Sequence, residues 1–156
     1  MKINLKVIAS ISLILVLISC GKSEKISAVQ GEWKSGFGQG TIEYFIDNGP
    51  GNQVYIACPS NAAASISATI LGKDPDAKKG EKITFIIDSI EYRNEYLNND
   101  CKVCSENFVF FWDKLRNAKS LSVKFSDSVH SEFSVSKLNA VLPPLDKSQC
   151  LVADQM

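Results

Sequence analysis

The chain has 156 residues, with 17 basic and 17 acidic side chains, one histidine and five cysteines. That balance withholds the basic surface on which nucleic-acid binding depends, and a lone imidazole leaves little for histidine-based metal sites. The length suits one folded domain once the terminal segments are set aside.

The amino terminus carries Lys2 and Lys6, an apolar run from Val7 to Ile18, and then Ser19-Cys20. The run is too short for a bilayer core of about 30 Å, which takes roughly 20 residues, and a small residue marks its end, so residues 1–19 read as a secretory signal peptide. Leu17-Ile18-Ser19-Cys20 resembles the bacterial lipobox. The resemblance implies cleavage before Cys20, a diacylglycerol on its thiol, an acylated new amino terminus, and membrane lipid as a partner through Cys20. Gly21 stands where inner-membrane-retained lipoproteins typically carry Asp, which implies an outer-membrane anchor facing the periplasm; in a Gram-positive cell the anchor would hold the outer face of the plasma membrane. Cleavage removes two lysines and no acid, leaving 15 basic and 17 acidic residues. No nucleic-acid partner is expected of so mildly acidic a chain.

Residues 20–30, CGKSEKISAVQ, read as a polar lipidated tether, and residues 31–156 as a single β-rich periplasmic domain. In SGFGQG, Gly36, Gly38 and Gly40 superficially suggest a phosphate loop, but the Walker lysine is absent and strand follows, so the run reads as a flexible turn. Period-two alternation then dominates. Ile42, Tyr44 and Ile46 share one face, as do Val54, Ile56 and Cys58, and the intervening Asn48-Gly49-Pro50-Gly51-Asn52 predicts a hairpin. Ile66, Ala68 and Ile70 form a third face, followed by a charged, solvated loop from Gly72 to Lys82.

KITFIIDSIEY, with Ile83, Phe85 and Ile87 on one face and Ile86 and Ile90 across, predicts a central strand. A helix is expected from about Phe110 to Ala118, where Phe111, Leu115 and Ala118 align. Leu121, Val123 and Phe125 predict a strand that Phe133 and Val135 answer across a turn near Asp127 to His130. A second short helix from Ser136 to Val141 must stop before Pro143-Pro144. These elements define a mainly β fold, a small antiparallel β-sandwich or barrel with one or two short helices.

With Cys20 lipidated, Cys58, Cys101, Cys104 and Cys150 make an even number in an oxidising compartment, where disulfides persist. Three connectivities are possible. The favoured one joins Cys101 to Cys104, whose spacing closes a local loop, and Cys58 to Cys150, which ties down the end of the chain. A redox role for Cys101 and Cys104 requires a thiol of lowered pKa, yet the neighbouring Asp100 and Glu106 act in the opposite direction. A zinc site would need Cys58 and Cys150 as its second half, and His130 is the sole imidazole. Neither a metal nor a cofactor is expected.

From Lys82 to Leu145 the order of features resembles the invasion-associated locus B family of exported bacterial proteins. The matching pieces are Ile86-Ile87-Asp88, Cys101 with Cys104, Leu115 to Lys119, the run Leu121 to Phe125, and Phe133 through Leu138 to Leu145. The resemblance implies a β fold and a local Cys101–Cys104 bond, and it brings no catalytic residues. No early cysteine pair follows Trp33, and a lipobox is not typical of that family.

A serine triad would rest on His130 alone, in an expected turn, and Glu43, Asp47 and Asp88 read as the polar face of the sheet rather than an acid–base couple. Trp33, Tyr44, Tyr55, Tyr92, Tyr96 and Trp112 could line a binding face but read as core or boundary residues. No catalytic set is expected. The chain reads as an envelope lipoprotein that binds a protein partner, of inhibitor, immunity or exclusion type. The alternatives are an accessory subunit of an envelope machine and a thiol-disulfide enzyme using Cys101 and Cys104.

Overall fold

The computed structural model describes residues 31–97 and 102–152. Cys20, Cys101, the signal segment and the tether lie outside the described residues, as does the side chain of Tyr96.

Two antiparallel four-stranded sheets face one another, without closing into a barrel among the described residues. The first is a meander of β1 (Trp33–Gly38), β2 (Thr41–Asp47), β3 (Gln53–Pro59) and β4 (Ser65–Thr69). The second, built from β5 (Thr84–Ile87), β6 (Ile90–Arg93), β7 (Leu121–Ser126) and β8 (Val129–Phe133), has the order β6-β5-β7-β8. Helix α1 (Lys102–Arg116) lies in sequence between β6 and β7, and the four-residue α2 (Leu138–Val141) follows β8. The mainly β, small sandwich-like architecture agrees with the alternation in the sequence.

In the first sheet, cross-strand register aligns Ile42 with Cys58, Tyr44 with Ile56 and Ile46 with Val54, so the apolar positions turn inward together. The glycine run is not a flexible turn. Ser35 and Phe37 pair with Tyr44 and Ile42 in β1, and only Gln39 and Gly40 remain as a two-residue hairpin with φ of 50° and 77°. Positive φ at both centres matches the strand twist in such a hairpin, which explains the glycine. The Asn48–Asn52 turn closes as expected, with Gly49 and Gly51 at positive φ. At Gly51 a Cβ would lie 2.2 Å from the Gly72 backbone nitrogen, so this turn approaches the end of β4 too closely for any side chain.

The segment expected as one central strand is two. Asp88 and Ser89, with φ of 49° and 70°, fold it into the β5–β6 hairpin, placing Ile87 opposite Ile90. No glycine marks this turn. The Asp88 carboxylate is instead engaged by the backbone N–H groups of Lys119 and Ser120, each 2.9 Å away, which hold its pKa below the usual carboxyl range. The hairpin is thereby fastened to the start of β7.

The expected helix also begins earlier, at Lys102, and ends at Arg116. Phe108, Phe111, Trp112 and Leu115 fall at i, i+3, i+4 and i+7 and are all buried. This face bridges the sheets: Trp112 meets Tyr44 of β2 edge-on at 5.6 Å, and Phe111 meets Phe85 of β5 at 5.3 Å. Trp112 Nε1 donates to the Pro143 carbonyl, and Arg116 Nε to that of Leu142, so the segment after α2 is bound to the same helix. At the other flank, buried Asn48 accepts from Gly31 N and donates from Nδ2 to the Glu132 carbonyl of β8, while Trp33 Nε1 donates to the Ser134 carbonyl. The buried hydrophobic residues of both sheets and α1 form one cluster.

Candidate functional site

Inner-face residues of β1 and β2 are covered unequally. Trp33, at the start of β1, is 4% exposed, whereas Phe37, on the same face near its end, is 76% exposed. The same-face neighbour on β1 is the small Ser35, which offers the Phe37 ring little cover. Beside it opens a groove of ≈ 640 Å³ lined by Phe37, Ile42, Tyr44, Val141, Pro143 and Gln149, among others, and no lining residue is charged.

The far wall of this groove is held covalently. Cys58 is disulfide-bonded to Cys150, in the pairing favoured from the sequence, and Cys58 lies directly opposite groove residue Ile42. Both sulfurs belong to buried residues. Around the bond, Ser148 Oγ donates to the Leu145 carbonyl and accepts from Cys150 N, and the Tyr44 hydroxyl donates to the Ser148 carbonyl at 3.1 Å. Burial raises the Tyr44 pKa, so the phenol remains a neutral donor. Ala64 N donates to the Leu151 carbonyl, carrying the terminal segment onward past the head of β4. A disulfide and four neutral hydrogen bonds thus hold the segment around Gln149, which itself takes φ of 61°.

The other residues singled out from sequence are dispersed. Glu43 and Asp47 lie on the outer face of the first sheet and Asp88 lies in the β5–β6 turn, so they do not assemble into a couple. Glu43 accepts a 2.6 Å hydrogen bond from the Tyr55 hydroxyl. That bond, with some burial and the carboxylate charge, pushes the Tyr55 pKa up to about 12. His130 is in β8 rather than in a turn, paired opposite Lys124, and it makes no hydrogen bond to a serine or carboxylate among the described residues. Trp33, Tyr44 and Trp112 are core, while Tyr92 is half-buried against Phe110 and Phe111. Cys104 is disulfide-bonded on the first turns of α1; its expected partner Cys101 lies outside the described residues. Among the described residues no group of His, Cys, Asp and Glu is arranged to hold a metal ion.

Phe37 escaped the sequence reading because three glycines outweighed the period-two phase of Trp33, Ser35 and Phe37, which continues that of Ile42, Tyr44 and Ile46 across the turn.

Fold and groove together define a small antiparallel sandwich-like protein whose helix clamps two sheets and whose first sheet leaves an apolar end uncovered. The family model described as YfjT matches residues 31–142, and the chain belongs to that family. No curated protein and no solved structure matches it.

Proposed function

We propose that the chain is an envelope lipoprotein, anchored through Cys20 and facing the periplasm, that binds another protein without chemistry of its own. The observation that carries this reading is Phe37: a large aromatic side chain 76% exposed, on a strand closed by a two-residue hairpin, beside an uncharged groove with a disulfide-fixed wall. Aromatic anchors of this kind dominate protein interfaces, because a rigid ring buries much apolar area at small entropic cost. An uncharged lining suits an apolar segment of a folded protein better than a nucleotide or another ionic ligand.

Position supports the same reading. The described residues begin at Gly31, beside the opposite end of β1, and Phe37 lies about 13 Å along the strand from Trp33. A domain tethered through residues 20–30 would thus present the groove away from its attachment. That arrangement fits a guard role, in which the lipoprotein meets an incoming protein such as a lytic enzyme, a rival's effector or an entry factor. Two experiments test the reading. Cys20→Ala should abolish lipid labelling and membrane retention; unaltered fractionation would remove the anchor from the account. Affinity capture from envelope extract should recover a protein with wild type and lose it with Phe37→Ala, and equal recovery by both would place the interface elsewhere.

A further inference from the structure

The second sheet ends in a strand whose exposed edge is complementary to itself. Among the described residues β6 pairs only with β5. Ile87 and Ile90 close the two-residue hairpin, and Asn94 N donates to the Ile83 carbonyl at 2.9 Å. In an antiparallel ladder the bonding direction alternates, so Ile90, Tyr92 and Asn94 address β5, while the backbone N–H and C=O groups of Glu91 and Arg93 point away from it. The side chains of these two residues lie on the outer face. Glu91 accepts a 2.6 Å bond from Lys124, whereas Arg93 forms no ion pair among the described residues.

We propose that β6 pairs antiparallel with β6 of a second copy of this chain, Glu91 opposite Arg93 and Tyr92 opposite Tyr92 across the two-fold axis. Charge complementarity selects both occupant and register. The outward backbone groups permit three central alignments: Glu91 on Glu91, Arg93 on Arg93, or Glu91 on Arg93. The first two place like charges directly opposite, which is destabilising in a sheet, and the third forms two opposite-charge pairs along with the main-chain bonds. An isologous contact of this kind counts every favourable pair twice. It would join the second sheets of two copies into one continuous sheet and remove an open edge that otherwise invites unspecific pairing.

The inner side of the same edge is apolar. Tyr92 lies 6.3 Å from the ring of Phe110, which is 56% exposed, as is Ile90. Val103, Asn107, Phe110 and Lys114 follow one another at i, i+4, i+7 and i+11 along α1, a single stripe beside β6, and the Lys114 ammonium lies 5.1 Å from the Phe110 ring centre. A groove of ≈ 410 Å³ between β6 and α1, lined by Tyr92, Leu97, Asn107 and Phe110 among others, receives the partner's Tyr92 in the proposed register.

The test is charge complementation in the purified full chain, read by sedimentation. Wild type should sediment as a dimer at tens of micromolar, Glu91→Arg and Arg93→Glu should each be monomeric, and an equimolar mixture of the two variants should regain the dimer, since each variant presents only one sign. A monomeric wild type would overturn the proposal and leave the edge to a strand from another protein. Single variants that dimerise like wild type, or a mixture that stays monomeric, would also overturn it. Because Glu91→Arg places a cation near Lys124 and could impair folding, a second assay uses Tyr92→Cys. Facing residues in a non-hydrogen-bonded pair have Cα atoms about 4.5 Å apart, within disulfide reach. Tyr92→Cys should give a covalent dimer on a non-reducing gel, while Ile90→Cys, displaced from its own copy in this register, should not; the reverse pattern, or no dimer from either, would overturn the register.

Discussion

The two sheets solve the same packing problem with opposite surfaces. The first is a plain meander whose inward face along β1 carries Trp33, Ser35 and Phe37, and its exposed end is neutral. The second is interrupted by α1, fastened by a charged turn at Asp88, and bordered by an edge strand carrying Glu91 and Arg93. The first is closed by the long-range Cys58–Cys150 disulfide. A neutral apolar end on a cross-linked frame is suited to burying a partner's side chains, while an edge of alternating charge is suited to choosing a register. The difference indicates that one small fold would keep the two proposed contacts apart, because the Phe37 end and the β6 edge belong to different sheets that α1 couples through aromatic packing.

The sharpest way to break the comparison is to remove the coupling. Trp112 is 1% exposed and packs against Tyr44 of the first sheet, while its helix neighbour Phe111 packs against Phe85 of the second. By loosening the helix between them, Trp112→Ala should cost about 4 kcal/mol in urea unfolding, with both sheets losing protection together. Selective loss from one sheet would show that α1 serves only that sheet. Replacing Cys58 and Cys150 together by alanine should cost about 3 kcal/mol and loosen the Gln149 wall, seen as faster hydrogen exchange after Pro144. The β6 edge should be unaffected, and dimer formation by that variant would demonstrate the independence of the two surfaces.

Asn48→Ala removes a buried amide that serves both Gly31 and the Glu132 carbonyl, and should cost about 2 kcal/mol by leaving these groups unsatisfied at the junction of the sheets. Asp88 gives a smaller, pH-dependent effect. Its folded-state pKa is lowered, first by the Lys119 N–H and then by that of Ser120, below the ordinary value of 3.8. The stabilisation is therefore complete above the unfolded carboxyl pKa and is lost as pH falls through the lowered folded value. The gap in melting temperature between wild type and Asp88→Ala should be constant near neutral pH and shrink below about pH 4; a gap that persists at pH 2 would mean that the turn geometry, not the ionised carboxylate, is what matters.

Much of the first sheet was legible because one side of β2, β3 and β4 is covered: in β2, Tyr44 and Ile46 are buried while Phe45 and Asp47 between and beyond them are not, and β3 and β4 alternate in the same way. The second sheet was less so. Ile86, Ile87 and Ile90 blur into one apolar run, and a hairpin centred on Asp88-Ser89 lacks the glycine that usually signals positive φ; its stabilising contacts come from Lys119 and Ser120, more than 30 residues away in the chain. Ser105 and Phe108 are buried in α1 on a face that local sequence cannot distinguish, because it is defined by two sheets distant in the chain. His130 was assigned to a turn for a related reason: the register shifts between Lys124 and Ser126, shortening the loop between β7 and β8 to fewer residues than the polar run suggests.

The smallest structural effect bears most directly on function. Phe37 is so exposed that Phe37→Ala should change stability by less than about 0.5 kcal/mol, and any loss of activity would then report on contact alone. The decisive measurement is in-cell photocrosslinking with a reactive side chain placed in turn at Phe37 and at Lys34, which is exposed on the opposite face of the same strand. The account predicts one discrete protein adduct from position 37 and none from position 34. Adducts of equal yield from both positions, or from position 34 alone, would contradict a partner seated in the groove.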